Sequence, residues 1–250
     1  LIHGWGGSGR YWRGTVERLG DRFGFVVPDL LGFGRSLPVR RGRDIFDQVD
    51  ALELLLQHLN IPSAHMVGHS TGGAIAMVLA ARRPDLVQRL VLTSVGLFRN
   101  TAERNLFNAV MGLTGGIMRL RGAWMADVPF LVQQSARRYF VEIPNDPELL
   151  RAGFLDYLTM DYNTALKSAR SAVSDAIPEA ARRIQAPTLL IAAREDQSMP
   201  PANVEYTATV IPHARIHWIA RSGHLPMVEQ LDKYVAALGE FLSTDPTNKP

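Results

Sequence analysis

Short runs rich in Val, Ile and Leu alternate along the chain with longer segments whose apolar residues recur every three or four positions. The runs "LIH", "FGFVVPD", "AHMVGH", "QRLVLTS", "PTLLIAA" and "ARIHWIA" read as strands, being too short for helices and bounded by turn residues. Between the second and third, Ile45, Val49, Leu52, Leu56 and Leu59 mark one helical stripe, with Asp44 ahead of it as N-cap. A further stripe, Val228, Leu231, Val235 and Leu238, follows the last strand and ends before Gly239. The alternation predicts an α/β fold, a mostly parallel twisted sheet with helices on both faces.

From about Gly96 to Arg183 the rhythm breaks. "AERNLFNAVMGL", "PFLVQQSARRYF" and "PELLRAGFLDYL" are helical in pattern, and "VEIPNDP" and "AIPEA" punctuate them. The reading is a helical insertion over 97–183 that divides a core of 1–96 and 184–250. Long insertions in compact α/β domains are usually functional, so a lid over a site is favoured over two plain structural layers.

Composition narrows the function classes. With 250 residues, 46% of them hydrophobic, the chain can bury one large core. Its 27 basic and 24 acidic residues nearly balance. Arg35, Arg40, Arg41 and Arg43 cluster around one loop, but no aromatic residues interleave with them, so a solvated turn is expected and no nucleic-acid partner. Cysteine is absent, which excludes disulfides, thiol chemistry and Cys-ligated zinc. The longest apolar stretch, Leu106 to Met118, is broken by Gly112, Gly115 and Gly116 and falls short of the roughly 18 residues of a membrane span. The chain begins without Met inside a strand candidate, which leaves room for a targeting segment upstream. The compartment stays open, with the cytoplasm preferred to secretion, and nothing marks an oligomeric state.

Two stretches carry chemistry. "LIHGWGGSGR" places Gly4, Gly6 and Gly9 in the G-x-G-x-x-G spacing of a dinucleotide-binding turn, and Asp29 ends the next apolar run about 20 residues on, where a ribose-binding acid would stand. The second is Gly68-His69-Ser70-Thr71-Gly72, a G-x-S-x-G between a strand and an Ala-rich helix. Gly68 and Gly72 suit a turn too sharp for a Cβ, with Ser70 at its tip as a nucleophile.

A serine hydroxyl needs a base. His224, in the loop between the last strand and the last helix, fits best. His69 adjoins Ser70 and should point away; His65 and His217 lie in strands, His58 in the last turn of a helix and His213 in a turn after a proline. His213 and His217 lack an acidic companion at useful spacing, so no metal site is expected. A carboxylate must orient the base. Asp196, in the loop after "PTLLIAA", supplies it in the chain order Ser, Asp, His; its neighbour Glu195 is the rival.

The motifs "HGWGG", "DLLGFGRS", "GHSTGG", "REDQSMP" and "SGHLP", in that order, resemble the α/β-hydrolase fold superfamily, in its serine esterase and lipase-like form. The resemblance implies Ser70 as nucleophile, His224 as base and Asp196 as its orienting acid. It implies an oxyanion hole from the backbone N–H groups of Trp5 and Thr71, with His3, Gly4, Gly68 and Gly72 shaping the supporting loops, and a helical lid between the sixth and seventh strands. No cofactor and no metal are implied. The sequence departs from the family in two ways: two strands that normally precede "LIHG" are missing from this chain, and Ala193-Arg194 stands where many relatives carry glycine.

The resulting expectation is a carboxylic ester hydrolase acting on small apolar or aromatic esters through an acyl-enzyme. Phe107, Met111, Met118, Trp124, Met125, Phe130, Tyr139, Phe140 and Phe154 offer apolar contacts, about a third of them at a pocket. A carbon-carbon bond hydrolase of meta-cleavage type, a ligand receptor with little turnover and a nicotinamide dehydrogenase are the alternatives.

Overall fold

A computed structural model describes residues 1–244. Strands β1 (Ala64–His69), β2 (Val87–Thr93), β3 (Thr188–Ala193) and β4 (Arg215–Ile219) pair side by side in that order, all parallel. The register sets Gly68 beside Leu92, Leu92 beside Leu190 and Leu190 beside Ile216. Side chains alternate across the pleat, so Met66, Leu90, Leu92, Leu190 and Ala192 enter one core while Val67, Val91, Leu189, Ile191 and Ile219 enter the other. A parallel sheet is stable only when both faces are covered, and these near-continuous apolar strands are what that burial requires.

In chain order the helices are α1 (Arg13–Leu19), α2 (Ile45–His58), α3 (Thr71–Arg82), α4 (Thr101–Met118), α5 (Pro129–Ala136), α6 (Pro147–Thr159), α7 (Tyr162–Ser171), α8 (Ala176–Arg182), α9 (Pro201–Val210), α10 (Pro226–Glu229) and α11 (Leu231–Ser243). Ile45, Val49, Leu52 and Leu56 of α2 are buried with α3 over the first face. Asp44 caps α2 as expected: its carboxylate accepts from the N–H groups of Phe46 and Asp47, and Asp47 reaches back to the Asp44 N–H. Leu59, past the last turn, is exposed. Trp12 and Leu19 join Tyr234, Leu238 and Leu242 of α11 over the second face. No helix among the described residues is long and apolar enough to cross a membrane.

Four expectations need correction. "LIH" forms only a bridge from Ile2 to Gly68, and "FGFVVPD" joins no ladder, although Leu1 N donates to Val26 O at 2.7 Å. Pro28, which has no N–H to give, interrupts the backbone bonding that a ladder there would need. The final stripe is also phased differently: the helix breaks at Gln230 and restarts, so α11 buries Tyr234, Ala237, Leu238 and Leu242, while Leu231 and Val235 are only half-buried. The helix also continues past Gly239 to Ser243.

Residues 97–183 contain α4 to α8. Of these, α8 packs Ile177, Ala180 and Ala181 into the same cluster as α3, so its side chains belong with the sheet-covering layer. Helices α4 to α7 face the loops that follow β1, β2, β3 and β4 across a cavity of about 810 Å³. This is the carboxyl edge of a parallel sheet, where open α/β folds bind ligands.

Candidate active site

Ser70 stands at the junction of β1 and α3 with φ 51° and ψ −120°, a left-handed conformation that a serine adopts only under constraint. The constraint is the close approach of backbone around it. A Cβ on Gly68 would lie 2.4 Å from Gly72 O, and one on Gly72 would lie 2.4 Å from His3 O. The two glycines let β1, α3 and the first loop crowd together, and Ser70 is held on the cavity wall.

His224 lines the same cavity from the loop between β4 and α10. Its Nδ1 is 2.8 Å from Asp196 Oδ2, and both residues are buried. The other carboxylate oxygen accepts from the N–H groups of Ser198 and Met199 at 2.8 and 2.9 Å, a turn that fixes the acid from behind. Of the two candidate acids, Asp196 reaches the imidazole. Glu195 turns outward and accepts from Arg221 N at 3.3 Å. The residues at the departure from the family pattern are accommodated: Ala193 is fully buried at the end of β3, and the Arg194 guanidinium stacks over Trp218 at 4.4 Å.

The glycine-rich loop lines the same cavity through Gly4, Trp5, Gly6 and Gly7. His3 is fully buried; Leu30 N–H donates to its Nε2 at 2.9 Å, so Nδ1 carries the proton and donates to Gly4 O at 2.8 Å. Burial lowers its pKa from 6.5 to about 4, which keeps the ring neutral. The Trp5 indole donates to Ala165 O at 2.8 Å and ties the loop to α7. Trp5 and Thr71 both line the cavity, and neither backbone N–H finds an acceptor among the described residues. For Thr71 this follows from its place at the start of α3, where helical N–H groups lack intrahelical partners.

Asp29 does not await a ribose. Its carboxylate accepts from Gly9 N–H at 2.7 Å and from the backbone and guanidinium N–H of Arg35 at 2.8 and 2.9 Å, and these bonds hold its pKa low against the effect of burial. The loop's own acid therefore occupies the place a phosphate would need. The neighbouring arginines are likewise used locally, Arg41 and Arg43 pairing with Asp47.

Comparison with known proteins gives the family. A family model described as alpha/beta hydrolase fold matches residues 1–231. The chain belongs to the α/β hydrolase family. This hydrolase is similar to Lipase 1 of Psychrobacter immobilis, 30% identical over 93% of this chain and 73% of the relative. It is similar also to the 2-hydroxymuconate semialdehyde hydrolase of Pseudomonas sp. (strain CF600), 29% identical over 97% of this chain and 86% of that one. Among solved structures, a thermophilic esterase from Thermogutta terrifontis superposes with a TM-score of 0.78 at 24% identity, covering 97% of this chain and 88% of that one, a likeness of fold.

The hydrolase's cavity is mostly apolar. Of the residues singled out in 97–183, Phe107, Met111, Tyr139, Phe140 and Phe154 line it. Met118 is buried elsewhere, and Trp124 and Phe130 are exposed. Three contacts had no signature in the sequence. Tyr11 and His69 meet beneath the first loop, with Tyr11 Oη 2.9 Å from His69 Nδ1. Glu229 of α10 accepts from Gly223 N at 2.6 Å and Val141 N at 2.7 Å, and also from Glu142 N, so one carboxylate joins the loop of His224 to residues 139–142. The His224 N–H itself donates to Tyr139 O at 2.7 Å.

Proposed function

We propose that this hydrolase cleaves carboxylic esters with apolar or aromatic acyl groups, with Ser70 as nucleophile, His224 as general base and Asp196 as the acid that orients it. The observation that carries the reading is the His224–Asp196 hydrogen bond, buried at the wall of the cavity that also exposes the strained Ser70.

In this mechanism His224 Nε2 takes the hydroxyl proton as Ser70 Oγ attacks the ester carbonyl, and Asp196 holds the Nδ1–H tautomer and stabilises the imidazolium. The carbonyl oxygen becomes an alkoxide, for which the free N–H groups of Trp5 and Thr71 are the donors; one such donor is worth about 3 kcal/mol. Collapse expels the alcohol, protonated by His224. Water, deprotonated by His224, then attacks the acyl-enzyme and releases the acid and the Ser70 hydroxyl. Helices α4 to α7 act as a lid: they shield the intermediate from bulk water and supply the apolar wall for the acyl group. Replacing Ser70 with Ala should abolish cleavage of p-nitrophenyl butyrate without unfolding the protein, and retained activity would sink the reading.

One observation favours a second reading, cleavage of a carbon-carbon bond in a vinylogous diketone: the similarity to the semialdehyde hydrolase extends over nearly the whole chain. Assaying ring-cleavage products beside simple esters separates the two.

A further inference from the structure

The contact between Tyr11 and His69 is part of a longer line of hydrogen bonds with one direction. Gly4 N–H donates to Tyr11 Oη. Tyr11 Oη and His69 Nδ1 are 2.9 Å apart, and His69 Nε2 is 2.9 Å from the carbonyl oxygen of His224. A carbonyl can only accept, so Nε2 carries the His69 proton. Burial and the neighbouring His224 keep the His69 ring neutral. Nδ1 is then a bare acceptor, and the tyrosine hydroxyl, already accepting from Gly4, has its one proton to give to it. Every member has a single role: Gly4 N–H to Tyr11, Tyr11 O–H to His69, His69 Nε2–H to His224.

The two ends of this line are the two loops that the proposed reaction must hold in register. Gly4 immediately precedes Trp5, whose N–H is the proposed oxyanion donor, and the other end is the backbone of the proposed base. Close packing reinforces the line. The His69 and His224 rings lie 4.8 Å apart between centroids, and a Cβ on Gly4 would come within 2.8 Å of His69 Nδ1. His69 is 4% exposed, so water does not readily replace either of its bonds.

We propose that Tyr11 and His69 are positioning residues that lock the first loop and the His224 loop into one catalytic geometry. The inference rests on the reading of Ser70 and His224 given above. Both reach the cavity wall, but their hydrogen bonds run to each other, to Gly4 and to the His224 backbone, and none to the Ser70 hydroxyl or the His224 ring. Losing either is therefore expected to lower turnover far more than it weakens substrate binding.

The test is a double-mutant cycle on Tyr11→Phe and His69→Leu with p-nitrophenyl butyrate, with folding followed by circular dichroism. Each single variant is expected to lose about tenfold or more in kcat with KM within about twofold. The double variant should be no worse than His69→Leu alone, because both changes cut one line. His69→Gln, which keeps a donor near the position of Nε2, should recover much of the loss. If His69→Leu does not fold, Tyr11→Phe and His69→Gln carry the comparison. Unchanged kcat in folded Tyr11→Phe, a loss expressed in KM, independent additive losses, or no recovery by His69→Gln would each overturn the proposal. Ser70→Ala runs beside them: if it stays active, the nucleophile reading has failed, whereas an inactive Ser70→Ala with a fully active Tyr11→Phe condemns only the positioning role.

Discussion

Asp196 grips His224 with one oxygen and its own turn with the other: Oδ2 lies 2.8 Å from His224 Nδ1 while Oδ1 accepts from Ser198 and Met199. An acid held at both ends cannot swing away, so the imidazole turns Nδ1 to it, and in the proposed mechanism Nε2 is left for proton transfer. Asp196→Asn retains the shape but offers an amide that favours the wrong tautomer, and kcat should fall by about 10³ to 10⁴. Glu195→Gln should leave kcat within about twofold, since that side chain faces away. Steady-state kinetics on the two variants checks the assignment; comparable losses would contradict it.

Glycines here fall into two kinds that thermal unfolding can separate. Gly72→Ala drives a Cβ to 2.4 Å from His3 O and should destabilise the fold by about 3 kcal/mol or more. Gly116 lies within α4 and a Cβ there meets nothing within 4 Å, so Gly116→Ala should stabilise by up to about 1 kcal/mol. A tolerated Gly72→Ala would mean that the sharp turn carrying Ser70 has more room than the 2.4 Å approach allows.

His3 and His69 are both buried and neutral, with folded-state pKa values below the ordinary 6.5, that of His3 at about 4. The unfolded chain therefore takes up protons that the fold refuses. Their contribution to stability is complete above about pH 6.5 and is lost as pH falls toward 4. Urea unfolding at about pH 7.5 and about pH 5.5 should show a loss of about 1 kcal/mol from His3 alone. His3→Gln, compared at the same two values, should reduce the pH dependence; an unchanged slope would contradict the assignment.

Phe154 lines the cavity and stacks on Tyr157 with ring centroids 6.2 Å apart. Phe154→Ala opens space in the cavity, and the proposed reaction places a longer acyl chain there. The ratio of kcat/KM for p-nitrophenyl octanoate over butyrate should rise about tenfold. A ratio that stays put would place acyl binding elsewhere in the cavity.

Much of this was legible in the sequence because the decisive features are local. The strands of the sheet show as apolar runs, and α2 carries its stripe and its cap. The elbow is written as two glycines around Ser70, and Asp196 precedes Ser198 by the two residues that its turn requires. What was hidden depends on distant residues meeting. Tyr11 and His69 are 58 positions apart, and Glu229 and Val141 are 88 apart. "FGFVVPD" reads as a strand because its composition is strand-like, yet pairing depends on a neighbour that composition does not reveal. The glycine spacing of "LIHGWGGSGR" is equally ambiguous alone, and only the bond from Gly9 to Asp29 shows that the turn is closed on itself.

The central claim is that Ser70 is a nucleophile activated by His224 and served by the N–H groups of Trp5 and Thr71. A serine-directed fluorophosphonate reports on all three, because it needs an activated hydroxyl and an oxyanion site to react. Stoichiometric labelling is expected, mapped by peptide mass spectrometry to the peptide containing Ser70 and lost in His224→Ala. Labelling at another residue, or none in the folded protein, would contradict it.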